Sequence, residues 1–152
     1  MQEINKTHDK GSGALPPEPI VRFIKRHHVL TLATTNDKGE PYVANCFYAY
    51  DAERNLFIFT SDVSTRHGAE MEQNPRVALC IVRETRIVGA IEGLQITGLA
   101  ERGDDEAKRR YIKRFPYAVV APLTLWMVKP EMMKLTDNKL GFGKKLIWQS
   151  EE

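Results

Sequence analysis

Residues 59–75 read FTSDVSTRHGAEMEQNP and carry the chain's densest set of anion-binding groups. A strand-like apolar run ends in two hydroxyls, Thr60 and Ser61. After a short turn, Ser64, Thr65 and Arg66 open a helix that stops at Asn74-Pro75. A helix start offers free N–H groups and the positive end of the helix dipole. The hydroxyls add donors, and the Arg66 guanidinium matches the oxygens of a phosphate monoester. The same residues also suit a plainer role, with Ser64 as an N-cap and Arg66 as a solvated first-turn residue. His67 and Tyr48 are the candidates for a general acid. No second histidine or carboxylate stands at ligand spacing from His67, so no metal site is expected.

A second segment, TDNKLGFGKKLIW at residues 136–148, brackets Phe142 with Gly141 and Gly143 and then presents Lys144, Lys145 and Trp148. Paired glycines permit a tight path against a ligand or another chain. A glycine turn, a solvated basic pair and a core tryptophan fit these residues equally well. Trp126 reads as packing. Adjacent His27 and His28 read as a helix end. Cys46 and Cys80 lie in apolar segments and read as two buried thiols in a reducing, cytoplasmic setting.

The elements that must position these groups are mostly strands. Residues 1–18 lack periodicity and carry Gly11, Gly13, Pro16 and Pro17, which predicts a mobile arm ahead of a domain over 19–152. Pro19 opens a short helix running to about His28, with Ile20, Phe23 and Ile24 on one face. VLTLATT, PYVANCFYAYD and LFIFTS follow, separated by the polar turns NDKG and AERN, and read as an antiparallel meander. VALCIV is a fourth strand. GLQITGLAE is a fifth, with Gln95, Thr97 and Leu99 on one face. LTLWMV and MMKLTD make a sixth and a seventh. A second helix with acids Asp104, Asp105 and Glu106 at its start ends at Pro116. Strands in excess of helices favour a small barrel.

The 152 residues amount to one domain, and a formal net charge of +2 gives no electrostatic case for nucleic acid or a membrane surface. No apolar run reaches the roughly 18 residues of a membrane span. The polar N-terminus has no apolar leader core. GxGxxG after a strand, Walker A, GxSxG and HExxH are absent.

Taken in order, the short helix, the meander, Thr60, Ser64 and Arg66, NPRVAL at 74–79 and GLQITGLAE resemble the flavin-binding split β-barrel, or pyridoxamine 5′-phosphate oxidase-like, superfamily. TRH at 65–67, GLQITG at 93–98, RFP at 114–116 and the 136–148 segment resemble a small bacterial branch of it. The resemblance implies a mainly β fold with flanking helices: a six- to seven-stranded antiparallel split barrel that dimerises around FMN. Carried over by position, it assigns Ser64 and Arg66 to the phosphate, with Thr65 beside them. It places Thr60 and Ser61 beside the phosphate and ribityl chain. Asn45 and Phe47 would lie along the flavin, and Gln95 would reach it from a second subunit. The arginine-bearing ending of true pyridoxamine-phosphate oxidases is absent, since the chain ends LIWQSEE. The implied function is a flavin-dependent oxidoreductase acting on a small molecule. The alternatives are a non-catalytic flavin or haem carrier or sensor, use of the deazaflavin F420, and a cofactor-free dimeric scaffold.

Overall fold

The computed structural model describes residues 15–138 and 144–151. Pro17 caps α1 (Glu18–Arg26), whose Ile20, Phe23 and Ile24 are buried. The meander is β1 (Val29–Thr35), β2 (Pro41–Asp51) and β3 (Leu56–Thr60). Next come α2 (Arg66–Gln73), β4 (Arg76–Arg83), β5 (Glu92–Arg102), α3 (Asp105–Arg114), a 3₁₀ segment (Pro116–Val120), β6 (Leu125–Asp137) and β7 (Lys145–Gln149). The fold is mainly β, as expected from the spacing of its strands.

The strands pair antiparallel in the order β3-β2-β1-β4-β5-β6-β7. Pairing of Leu125–Val128 in β6 with Phe57–Thr60 in β3 closes the first six into a barrel and leaves β7 as an extra strand. Closure removes the exposed edges that a sheet of this length would otherwise present. The inward faces of all seven strands and the apolar face of α1 form one cluster, including Leu30, Leu32, Tyr48, Phe57, Phe59, Ile81, Leu94, Trp126 and Trp148. A smaller cluster lies outside the barrel, where Ala107 and Tyr111 of α3 and Phe115 at its C-terminal cap cover Ala49, Leu56 and Ile58.

Several local expectations change. The first helix stops at Arg26, because His27 is already extended and the His28 carbonyl accepts the Tyr48 N–H at 2.9 Å, which starts the β1–β2 ladder. LTLWMV and MMKLTD are one strand, β6. Pro130 lies opposite Gly98, next to a register shift at Thr97/Gly98, and a Cβ on Gly98 would come within 2.4 Å of the Lys129 carbonyl. The missing side chain lets β6 bend there, so its first half pairs with β3 and its second half with β7. Cys80 is exposed, because it faces outward from β4, while Cys46 is buried. Within the expected arm, residues 1–14 lie outside the described residues, whereas Pro16 is buried and α1 begins at Glu18. The Pro17 carbonyl accepts from Ile20 and Val21, which ties the arm's end into the helix start. None of the helices among the described residues is long and apolar enough to cross a membrane.

Candidate functional site

A cleft of about 390 Å³ opens beside the start of α2. Its floor is the end of β3, with Thr60 and Ser61. One wall is the first turn of α2, with Thr65 and His67. Asn45, Cys46 and Phe47 of β2 form another, and Tyr111, Tyr117 and Leu123 close the side opposite α2. The volume lies in the range of small-ligand sites, roughly 300–1,000 Å³.

Ser61 is the fixed point. Its N–H donates to the Thr124 carbonyl at 3.0 Å, and its carbonyl accepts the Trp126 indole N–H at 2.8 Å. Its hydroxyl is hydrogen-bonded to His67 Nδ1. The turn between them is pulled tight. The Ser64 N–H donates to the Asp62 carboxylate, and the Thr65 N–H donates to the Asp62 carbonyl. Gly68 allows that turn to rest on the helix, since a Cβ there would stand 2.1 Å from the Asp62 carbonyl oxygen.

The N-cap of α2 is Thr65, not the expected Ser64: the Thr65 hydroxyl accepts the Gly68 N–H at 3.2 Å, and Ser64 is exposed in the turn. The one-residue offset changes which basic side chain faces the cleft. Arg66 donates through Nε to Glu70 at 2.9 Å, and its guanidinium lies 4.3 Å over the Tyr42 ring. Glu70 is buried and also accepts the Thr34 hydroxyl at 2.6 Å, so Arg66 and Glu70 together fasten α2 to β1 and β2. Arg66 lines no part of the cleft. His67 does, although its sequence pattern offers it only as a general-acid candidate. A helix advances about 100° per residue, so moving the cap by one position turns a different side chain inward. Burial lowers the His67 pKa below its ordinary value, partly opposed by the Glu70 carboxylate.

The other expected residues divide. Asn45, Phe47, Thr60, Ser61 and Thr65 meet in the cleft. Tyr48 does not. It is fully buried, its hydroxyl donates to the Ile24 carbonyl at 2.6 Å, and burial raises its pKa, so it is no proton donor for a ligand. Gln95 is exposed on the outer face of β5. It pairs with Cys80, which neighbours β1 at Thr31, which pairs with Asn45. Three strand spacings, roughly 14 Å, therefore separate Gln95 from Asn45 of its own chain. Gly141, Phe142 and Gly143 lie outside the described residues. Lys144 and Lys145 are exposed away from the cleft, and Trp148 is buried in the core. The 3₁₀ segment that brings Tyr117 to the cleft was missed. RFP marks the end of α3 but carries no periodicity that would reveal the aromatic group.

These elements match known proteins. The pyridoxamine 5′-phosphate oxidase family model matches residues 16–136. A UPF0306 protein of Photorhabdus laumondii is 40% identical over 134 residues, 86% of this chain and 93% of the relative. The chain belongs to the UPF0306 family. Its barrel is shared with solved structures of low identity. An FMN-binding, pyridoxamine 5′-phosphate oxidase-related protein from Nostoc punctiforme superposes with TM-score 0.64 at 12% identity, over 86% of this chain and 88% of that one. A haem-binding protein from Mycobacterium smegmatis gives 0.69 at 18%, over 84% and 55%. The UPF0306 chain is thus a pyridoxamine 5′-phosphate oxidase-like split barrel.

The cleft gathers polar groups that could hold an anion. Thr60, Ser61, Thr65 and Thr124 line it with their hydroxyls, together with Asn45, the Asp62 carboxylate and the His67 ring. A Thr65→Ala variant tests the cap. It should lose about 1 kcal/mol of stability in thermal melts, the usual cost of removing an N-cap. It should also loosen the turn beside the cleft and weaken FMN uptake, since the Thr65 hydroxyl donates to the Asp62 carbonyl at 2.5 Å. By contrast, Arg66→Ala should change FMN affinity less than threefold in a fluorescence titration; a tenfold loss would return the anchoring role to Arg66.

Proposed function

We propose that this UPF0306 chain is a homodimeric FMN-binding protein that works as a flavin-dependent oxidoreductase on a small molecule. The observation that carries this reading is the cleft itself, where hydroxyls, the Asn45 amide and an imidazole meet alongside Phe47 and Tyr117. A phosphate suits the polar end and a planar ring suits the aromatic rim. The fold shared with an FMN-binding protein supports the same reading. When bound, FMN would supply the electron transfer. Thr60, Ser61, Thr65 and His67 would hold its phosphate, Asn45 and Phe47 would lie along the ring system, and Tyr117 would limit water.

The dimer rests on the outer face of β2-β1-β4-β5. Val29, Val43, Phe47, Val82 and Leu99 are exposed there, around Asn45, Thr31, Cys80 and Gln95. A second copy on this face would bring its Gln95 to the cleft, which Gln95 of the same chain does not reach. Light scattering at micromolar concentration should report twice the 17.3 kDa chain mass. The purified protein should carry or take up FMN with flavin absorption bands and hold riboflavin far less tightly. A Soret band would replace FMN with haem, and deazaflavin bands would replace it with F420. A colourless protein that refuses FMN would leave a cofactor-free scaffold. A monomer that binds FMN tightly would overturn the interface.

A further inference from the structure

His67 is the one residue lining the cleft that can carry positive charge. No lysine or arginine lines it among the described residues. The titratable groups around the imidazole come from every packed element: Asp62 from the turn after β3, Cys46 from β2, Tyr111 from α3, Tyr117 from the 3₁₀ segment, and Glu70 and Arg66 from α2 itself. Asp62 is bonded to the Ser64 N–H, and Arg66 is committed to Glu70 and the Tyr42 ring. An anion entering the cleft therefore meets hydroxyls, the Asp62 carboxylate at the turn and a ring that burial keeps in its neutral form at neutral pH.

Resting on the flavin-phosphate reading above, we propose that the cleft takes up its phosphate together with a proton from solvent, His67 becoming imidazolium as the anion enters. The Ser61–His67 pair is built for both states. Ser61 can donate to Nδ1 of the neutral ring or accept from Nδ1–H of the charged one, because a hydroxyl does either. Its backbone is held at both ends, so the ring keeps its place across the change. Nε2, with no protein partner among the described residues, is the nitrogen that meets the anion. The consequence is pH-gated retention. The bound anion raises the imidazole pKa above its free value, so affinity is highest below the free value. It then falls by up to about tenfold per pH unit until the bound value is passed. Above pH 7 a phosphate monoester is already fully ionised, its second pKa lying near 6, so loss of affinity there belongs to the protein.

The test follows the His67 ring proton by NMR over pH 5–9 in the full-length protein, alone and with inorganic phosphate, FMN or riboflavin. FMN and phosphate should raise the midpoint by at least one pH unit, and riboflavin should leave it in place. Calorimetry of FMN binding at pH 7.5 in buffers of different ionisation enthalpy should report uptake of roughly one proton. His67→Lys, a fixed cation, should bind FMN with an affinity that varies less than twofold from pH 7 to 8. His67→Gln should bind weakly and take up no proton. FMN binding with an unmoved His67 midpoint and no proton uptake overturns this inference while leaving the flavin reading intact. A midpoint raised by phosphate in a protein that does not retain FMN upholds the inference and removes the flavin reading. No rise with either ligand overturns the inference.

Discussion

Gly68→Ala should lower both the stability of the protein and its grip on FMN. On an exposed helix this substitution would help, by roughly 0.8–1.0 kcal/mol. Here the new methyl carbon would lie 2.1 Å from the Asp62 carbonyl oxygen and 2.7 Å from its carbon. Both are backbone atoms, so no rotamer change relieves the contact. The turn must lift off the helix, breaking the Thr65 N–H to Asp62 bond and drawing Ser61 away from His67. Overpacking of this kind costs roughly 1–3 kcal/mol beyond the propensity gain. For a chain of this size each kcal/mol moves Tm by about 2–4 °C. A fall of several degrees, with FMN affinity reduced about tenfold or more, is the expected result. Gly89→Ala is the control, because a Cβ there meets nothing within 4 Å, and it should be close to neutral. A Gly68→Ala protein as stable as the parent and unimpaired in FMN titration would show that this close approach does not shape the cleft.

Asp51→Ala should be the most damaging change away from the cleft. Asp51 is fully buried at the end of β2. One carboxylate oxygen accepts the Glu53 and Arg54 N–H groups, both at 3.1 Å, and so shapes the turn into β3. The other accepts Arg54 Nε at 2.6 Å and lies 3.3 Å from Arg110 Nε of α3. Arg54 also reaches Asp104, the N-cap of α3, at 2.6 Å. This network fastens α3, and with it Tyr111, over the meander. Alanine strands two turn amides and two guanidinium groups. The loss should be about 2–4 kcal/mol, the range for charged hydrogen bonds with a buried partner removed. Asp51→Asn should lose about half of that, since it keeps an acceptor for the turn. The pH dependence follows from the carboxyl. Burial favours its neutral form, but hydrogen bonds from the Arg54 side chain and backbone and the nearby Arg110 charge outweigh that, holding its pKa below the ordinary 3.8. A carboxyl whose pKa is depressed on folding stabilises the protein above its unfolded value, and the gain is lost as pH falls through the folded value. The Tm gap between parent and Asp51→Asn should thus be constant from pH 5 to 8 and narrow below pH 4. A gap that widened on acidification would mean that the carboxyl is not held ionised by its arginines.

The strand meander, the helix stop at Asn74-Pro75 and the alternation of Gln95, Thr97 and Leu99 were legible in the sequence by itself. Each depends on backbone preferences of neighbouring residues: β-branched runs, turn-forming polar residues, proline's missing N–H and the two-residue period of a strand. Hydroxyls at a strand end followed by a helix start likewise marked out Thr60, Ser61 and Thr65. The tertiary structure decided which basic residue faces the cleft. His67 and not Arg66 faces inward because Gly68 lets the Asp62 turn rest on α2, which moves the cap to Thr65, while Glu70 and Tyr42 draw Arg66 outward. Those partners come from another strand or a full helical turn away, and no local pattern encodes such contacts. Tyr48 lost its candidacy in the same way, through the carbonyl of Ile24, which is 24 residues distant in sequence and 2.6 Å away in space. The sequence determined which groups could bind an anion; side-chain packing across distant elements decided which of them face the cleft.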